Sequence, residues 1–334
     1  MQRKDIALIK ETRQSRFVEK IMEKISPSIT IRPSDKVAIK INLSGFREIY
    51  ANTHYETVES LIIYLREHFG VTDVTVIEGS DGAFYSRKTT WDIFYKFRYK
   101  EVELMGVKLS NLDDLPHNKK MEVSTLKGKK EVSYATFDSD YMISVIPPKT
   151  HNLFPAFLSI PNLIGFVKAD ERKYLYGALD NEIKELHLKD DERYFRQLDN
   201  AGRNFAELLE KISPSLVLID GLYGMEGKGP VRGSPVFHGF AAASEDPVLA
   251  DSLATFLMGF DVDDIPYIYY SYKKGLGNNR WHNILGVDPI RVKFPYRPPP
   301  AYQKQKLWKT MRIKREDNKN NRNIAEDKSS EHNG

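Results

Sequence analysis

Apolar residues along this chain recur in two spacings, every second residue in some stretches and every third or fourth in others. These are the spacings that bury one face of a strand or one face of a helix. Residues 5–10 (DIALIK) form a short apolar run that predicts a strand. Residues 13–25 carry Phe17, Ile21 and Ile25 at helical spacing, with Val18 and Met22 beside them and Pro27 soon after. Residues 36–43 alternate Val37, Ile39 and Ile41 against Lys36, Ala38 and Lys40, which predicts a second strand. Residues 55–69 place Val58, Leu61, Ile62 and Leu65 on one helical face and stop at Gly70. Residues 73–78 (DVTVIE) read as a third strand that runs into a glycine-containing loop. This order predicts an α/β fold, a mostly parallel sheet flanked by helices on both faces.

The pattern then breaks. Residues 108–134 hold short alternating segments around Gly128 and predict a small β insertion. Buried strands follow at 141–146 (YMISVI) and 216–219 (LVLI). Helices are expected over 171–189, 191–212, 246–258 and 263–274, the third with Asp246 as N-cap and Pro247 in its first turn. Residues 1–296 form the α/β body, either as one unit or as two lobes, 1–140 and 141–296, sharing a cleft. Pro298, Pro299 and Pro300 make an extended spacer. Beyond it, residues 304–315 carry six basic side chains and no acid, with Leu307, Trp308 and Met311 on one helical face. Residues 316–334 are polar and predicted to be disordered.

Composition narrows the function classes. At 41% hydrophobic and 11% aromatic, the body is not a disordered chain. No cysteine is present, which excludes disulfides, thiolate zinc sites, cysteine nucleophiles and cysteine-ligated iron–sulfur clusters. The N-terminus lacks a signal-peptide apolar core, and no apolar stretch approaches the roughly 18–20 residues of a membrane helix. A cytoplasmic protein is expected. The net charge is +4, but residues 301–334 hold 9 basic and 5 acidic side chains, leaving 41 of each in residues 1–300. A basic surface for nucleic acid or an anionic surface is therefore expected only on the segment 304–315.

Ligands of open α/β sheets bind at the carboxyl ends of the strands. Lys40 and Asn42 share a face at the end of the second strand; taken alone, Lys40 reads as a solvated lysine. Glu78 and Asp81 flank glycines after the third. The segment 147–167 (PPKTHNLFPAFLSIPNLIGFV) follows a buried strand with Lys149, Thr150 and His151 in succession, and its few other polar residues include Asn162. Histidine serves as acid, base or metal ligand, and a neighbouring lysine lowers its pKa. The segment 220–235 (DGLYGMEGKGPVRGSP) reads as a glycine-rich loop presenting Asp220, Glu226, Lys228 and Arg232. It matches neither the P-loop nor the dinucleotide fingerprint, because Lys228 precedes Gly229 and Arg232 stands where a glycine belongs. Asp251 lies within an apolar helix and needs a partner, Lys40 or Lys149 being candidates. No histidine pair has close metal-ligand spacing, so a divalent metal would need a set such as His151 with Asp220 or His238.

These segments (VAIKINL, PPKTHNLFPAFLSIPNLIGFV, LIDGLYGMEGKGPVRGSP and AASEDPVLADSLATFLMG) resemble, in order and spacing, the family named "domain of unknown function 362". The resemblance spans about residues 37–277. It implies an α/β fold with a cleft lined by Lys149, Thr150, His151, Asn162 and Gly165, by Asp220, Glu226 and their glycines, and by Asp246, Pro247 and Asp251. The family pattern has a proline at the position of Ile41 and a lysine at that of Pro161, and many members carry a cysteine-rich ferredoxin-like segment that is missing here. The family's layout is in turn similar to that of nickel-pincer lactate racemases.

Three functions are expected to compete. In the first, a small-molecule enzyme binds an anionic carboxylate or phosphate. Lys149, His151 and Asp251 are its catalytic groups, and Lys40, Asn42, Thr150, Asn162, Asp220, Glu226 and Lys228 bind the substrate. The second is a metal- or nickel-cofactor-dependent racemase or isomerase. The third is a non-catalytic binding protein with a basic tail.

Overall fold

The structure is a computed structural model and describes residues 4–45, 49–178, 188, 190–230 and 232–313. Part of the predicted helix 171–189 and the polar end 316–334 lie outside the described residues. Ten strands are described: β1 (Ile6–Lys10), β2 (Val37–Lys40), β3 (Val74–Glu78), β4 (Lys108–Asn111), β5 (Lys119–Thr125), β6 (Gly128–Tyr134), β7 (Tyr141–Ile146), β8 (Leu216–Glu226), β9 (Ser234–Ser244) and β10 (Ile284–Gly286). Eight of them make one sheet in the order β10–β1–β9–β8–β7–β2–β3–β4. Every pairing is parallel except those of β9, which runs against both β8 and β1. Strands from both halves of the chain share this sheet, since β2 pairs β7 on one side and β3 on the other.

The alternation in the sequence is what divides the core. Val37, Ile39, Val74, Val76, Ile143, Val145, Leu216 and Leu218 face one apolar layer, built with helices Gln14–Ile25 and Tyr55–Phe69. Ala38, Ile77, Met142, Ile146, Val217 and Ile219 face the other, built with helices Asp191–Lys211 and Pro247–Leu257. A strand buried on both faces belongs in the middle of a helix-covered parallel sheet. Asp246 caps the helix Pro247–Leu257 as expected, its side chain accepting from Leu249 N at 2.9 Å.

Three sequence expectations need correction. The insertion is smaller than 108–134, because β4 joins the main sheet beside β3 and only the hairpin β5–β6 stands apart. The segment 220–235 is largely strand, because β8 continues to Glu226 and pairs with β9. Its glycines serve close packing. A Cβ on Gly221 would meet Phe240 Cε1 at 2.2 Å, and one on Gly224 would meet the Tyr296 hydroxyl at 2.3 Å. Between the two strands, residues 227–230 and 232–233 are turn and bend.

The basic tail is the third correction. As far as residue 313 it docks on the body. Trp308 is 1% exposed, with its ring 5.7 Å from Tyr269 and 6.1 Å from Tyr270. Gln305 Nε2 donates to Asn152 O at 3.0 Å, Lys304 pairs with Asp191, and Lys309 reaches Asp263 at 3.2 Å. The acids that the body supplies thus neutralise part of a segment expected to reach outward. Trp308→Ala removes a buried indole and is expected to cost about 3 kcal/mol of unfolding free energy. A urea denaturation midpoint unchanged by the substitution would show that the segment is not part of the folded unit.

Candidate functional site

The carboxyl ends of β2, β3 and β7 meet at one place, and the polar residues that follow them form a single buried network. Lys40 ends β2, the central strand of the five parallel ones. Its side chain is fully buried, so the expectation of a solvated lysine is overturned. Its ammonium donates to Ile41 O at 2.7 Å, to Asn162 Oδ1 at 3.0 Å and to Glu78 Oε2. Burial pushes the Lys40 pKa down, and the adjacent Glu78 charge opposes that shift. The second oxygen of Glu78 accepts from Leu43 N at 2.9 Å.

Two asparagines link the lysines. Asn162 Oδ1 accepts from Lys40 and, at 2.9 Å, from Asn42 Nδ2, while Asn162 Nδ2 donates to Ser144 Oγ at 3.1 Å. Asn42 Oδ1 then accepts from Lys149. The Lys149 ammonium also donates to Ser44 Oγ at 2.7 Å and Ala51 O at 2.6 Å. A lysine has three donors, so Lys40 and Lys149 both have every N–H committed to protein. Lys149 is fully buried, and burial lowers its pKa to about 7, helped by the charge on Lys40 and opposed by Glu78. Of its three acceptors only Ser44 is part-exposed.

His151 sits two residues further along. Its ring stacks on Tyr176, centroids 5.4 Å apart at 12°, and on Phe157 at 5.0 Å. The same Phe157 ring lies 5.6 Å from Lys149 Nζ. His151 Nδ1 accepts from Leu153 N at 3.0 Å, which places the proton of the neutral ring on Nε2. Burial, and then the Lys149 charge, lower its pKa to about 3. At neutral pH the ring is an uncharged Nε2–H donor.

The remaining expected residues are placed elsewhere or spent on structure. Thr150 Oγ1 donates to Gly227 O at 3.0 Å and its N–H to Met225 O at 3.0 Å, which pins the end of β8 against the strand exit. Gly229 is needed there, since a Cβ would fall 2.0 Å from Thr150 O. Glu226 accepts from Arg297 N at 2.8 Å, and Lys228 is exposed. Asp220 accepts from Thr57 Oγ1 at 2.6 Å, and burial raises its pKa. Asp251 does not meet Lys40 or Lys149. Its carboxylate accepts from Ser159 N and Ile160 N, each at 2.9 Å, and from Ser159 Oγ at 2.5 Å, so it anchors the short helix that carries Asn162. Burial pushes Asp251 up to about 7 against the pull of those donors.

A second polar cluster adjoins the first. Arg172, also fully buried, donates from Nε to Val167 O at 2.9 Å, from Nη2 to Gly165 O at 3.1 Å and to Asp113, with Asp81 3.5 Å from Nη1. Burial raises the Asp81 pKa and Arg172 opposes the rise. Ser44, Phe157, Arg172 and Tyr176 were not legible as site residues. Each becomes one only through its contact across the fold: Phe157 lies in the segment 147–167 as one apolar residue among many, and the other three stand outside the quoted segments.

The metal set suggested by sequence does not assemble. Asp220 is bound to Thr57. His238 places Nε2 2.8 Å from Val292 O and Nδ1 3.2 Å from the Tyr296 hydroxyl. Among the described residues no group of three or more His, Asp or Glu side chains is placed to hold a metal. Also among the described residues, no helix is long and apolar enough to cross a membrane.

Comparison with known proteins places the chain. It is 26% identical over 145 residues to the thylakoid-associated protein sll1697 of Synechocystis sp., an alignment covering 43% of this chain and 40% of that protein. Its backbone is similar to that of the lactate racemase apoprotein from Thermoanaerobacterium thermosaccharolyticum, with a TM-score of 0.45, 13% identity, and coverage of 75% of this chain and 57% of that one. The pattern of the family described as "Domain of unknown function (DUF362)" matches residues 37–256, which hold the strand ends β2, β3 and β7 and the whole buried network. The chain belongs to that family.

Proposed function

We propose that this protein is a small-molecule enzyme that removes a proton from its substrate with the Lys149 amine while His151 holds the substrate oxygen. The observation that carries this reading is the cage around Lys149: a fully buried amine whose pKa falls to about 7. An ordinary lysine is more than 99% protonated at pH 7 and cannot act as a base. Here loss of the proton forfeits one of three hydrogen bonds and leaves a lone pair, at the pH where a general base works best. Approach is past Ser44, the part-exposed member of the cage.

His151 supports a matching role. With Nδ1 occupied, its Nε2–H is fixed by stacking and can donate to a carbonyl or carboxylate oxygen. Proton transfer from substrate to Nζ creates an ammonium and a substrate anion together, and the ammonium then offsets that anion. The substrate class is a small carboxylate or phosphate ester with an acidic C–H or O–H. Lys40 keeps Asn162 and Asn42 in position through its own committed ammonium; it does not bind the substrate's charge.

The test is turnover of a panel of small carboxylates and phosphate esters, followed by mass spectrometry and by solvent deuterium incorporation. Activity is expected to rise as pH increases through about 7, where the amine loses its proton. Lys149→Met is expected to lower kcat by roughly 10²–10⁴-fold and His151→Gln by roughly 10²-fold. Deuterium exchange in Lys149→Met at the wild-type rate would refute the assignment.

A further inference from the structure

Residues 81–104 form three short helices, Asp81–Ser86, Thr90–Lys96 and Tyr99–Leu104, beside the candidate site. Their inward faces are ordinary: Ala83, Ile93, Phe94, Tyr99 and Val102 all join one core layer. Their outward faces are not. Phe84 is 46% exposed, Tyr85 64%, Tyr95 48% and Leu104 75%. The described residues contain 14 exposed large hydrophobics, and four of them fall in these 24 residues. All three helices pack inward on the same layer, so these four side chains lie on the sides turned away from it, Phe84 and Tyr85 with their rings 5.5 Å apart. Trp91 lies half-buried at its edge, its ring stacked 6.3 Å from that of Tyr95 and its indole N–H held by Asp114 at 2.9 Å.

The charge beside these side chains is positive. Residues 84–100 contain Arg87, Lys88, Lys96, Arg98 and Lys100 against the single acid Asp92. Arg98 and Lys100 reach Glu101 at 3.6 Å and Glu103 at 3.1 Å, and Asp92 closes a capping box with Thr89. Counting those acids and Asp81, residues 81–104 keep a net charge of +1, and Arg87 and Lys88 stand side by side, both exposed. Arg87 ends the first helix in the left-handed region at φ 55°, a conformation that glycine or asparagine takes at lower cost. Arg87 and Lys88 follow Phe84 and Tyr85 in the chain after a single residue, and all four are exposed.

We propose that the outer surface of residues 81–104 docks on an anionic lipid bilayer. Its aromatic and leucine side chains would enter the headgroup boundary, and Arg87 and Lys88 would meet acidic headgroups. Aromatic rings flanked by lysine and arginine suit that boundary, where one end of a side chain is apolar and the other is wet. A nucleic acid is the less suitable occupant. Base stacking uses aromatic faces along a basic groove, whereas here an exposed leucine and a phenylalanine lie on the outside of short helices. The surface adjoins the site where Tyr85 comes near Asp81, Arg172 and Tyr176, but Phe84, Arg87, Lys88 and Leu104 make no part of the Lys149 cage, so its failure would leave the proposed chemistry standing.

Co-sedimentation of the full chain with vesicles tests it. Vesicles of phosphatidylcholine with about a third phosphatidylglycerol are expected to bind the protein at low salt, and pure phosphatidylcholine at least tenfold more weakly. Each cation at such a surface strengthens partition about fivefold, so the R87E/K88E double variant is expected to lose more than tenfold. The F84S/L104S variant is expected to lose binding while keeping its salt dependence. Lys306→Glu, in the docked tail, is expected to bind as wild type. Thermal melts of each variant identify any that fail to fold, and the other variant then decides. No binding to either vesicle, equal binding to both, loss with Lys306→Glu equal to that with R87E/K88E, or tighter binding to a single-stranded oligonucleotide than to the acidic vesicles would each overturn the proposal.

Discussion

Lys40→Met is expected to destabilise the fold by about 3–5 kcal/mol, the cost of removing one partner of a buried ion pair. Glu78 would keep its bond from Leu43 N but lose its countercharge in a place that water does not reach. Asn162 Oδ1 would lose one of its two donors. The double variant K40M/E78Q is expected to recover much of the loss, because the buried charge goes with its partner and glutamine can still accept from Leu43. Urea denaturation of the two single variants and the double gives the coupling directly. A Lys40→Met midpoint equal to wild type would mean that Lys40 is solvated.

Gly79→Ala is expected to cost about 3 kcal/mol or more and to disturb the site. The cause is contact, not backbone conformation. A Cβ at Gly79 would lie 2.2 Å from Gly165 O and 2.7 Å from Arg172 Nη2, so the backbone of the loop at the end of β3 or of the 163–166 turn must move. Gly165 in turn lies against Lys40, a Cβ there falling 3.1 Å from Lys40 Cε. Overpacking a fitted interior costs about 1–3 kcal/mol and occasionally more, and here the obstacle is another main chain that cannot rotate away. Gly128→Ala is the comparison: its φ is 114°, but a Cβ there meets nothing within 4 Å. It is expected to cost about 1–2 kcal/mol through conformation alone. Equal midpoints for the two variants would remove the close approach of the two loops as an explanation.

Much of the fold was legible because burial leaves a period in the sequence. Val37, Ile39 and Ile41 marked β2, DVTVIE marked β3, and YMISVI marked β7; each is a parallel strand buried on both faces. The failures have physical causes too. β9 was not foreseen because SPVFHGFAAAS has small and apolar residues without alternation, where β9 is covered on both sides by β1 and β8. The glycines of 220–235 signalled a loop, but in β8 Gly221 makes room for Phe240 and Gly224 for Tyr296, which lie 19 and 72 residues away.

For the site, strand ends pointed to Lys40, Asn42, Lys149 and His151, because chemistry in such sheets gathers at carboxyl ends. The roles of those residues were not legible. Whether a lysine is solvated, neutralised or poised near pH 7 depends on its desolvation and on the acceptors around it, and those acceptors come from four places in the chain: Ile41, Asn42 and Ser44; Ala51; Glu78; and Asn162.

By itself the amino-acid sequence determined the alternation of strands and helices, the lack of thiol chemistry and the position of the polar clusters after the strands. These depend on local period and composition, which a chain carries wherever it is. Only the tertiary structure decided that Lys40 is buried, that Asp251 serves Ser159 and Ile160, that His151 is a donor, and that the basic tail is partly neutralised by Asp191 and Asp263. Each of those depends on the dielectric and the partners around one atom, and both are set by residues distant in sequence.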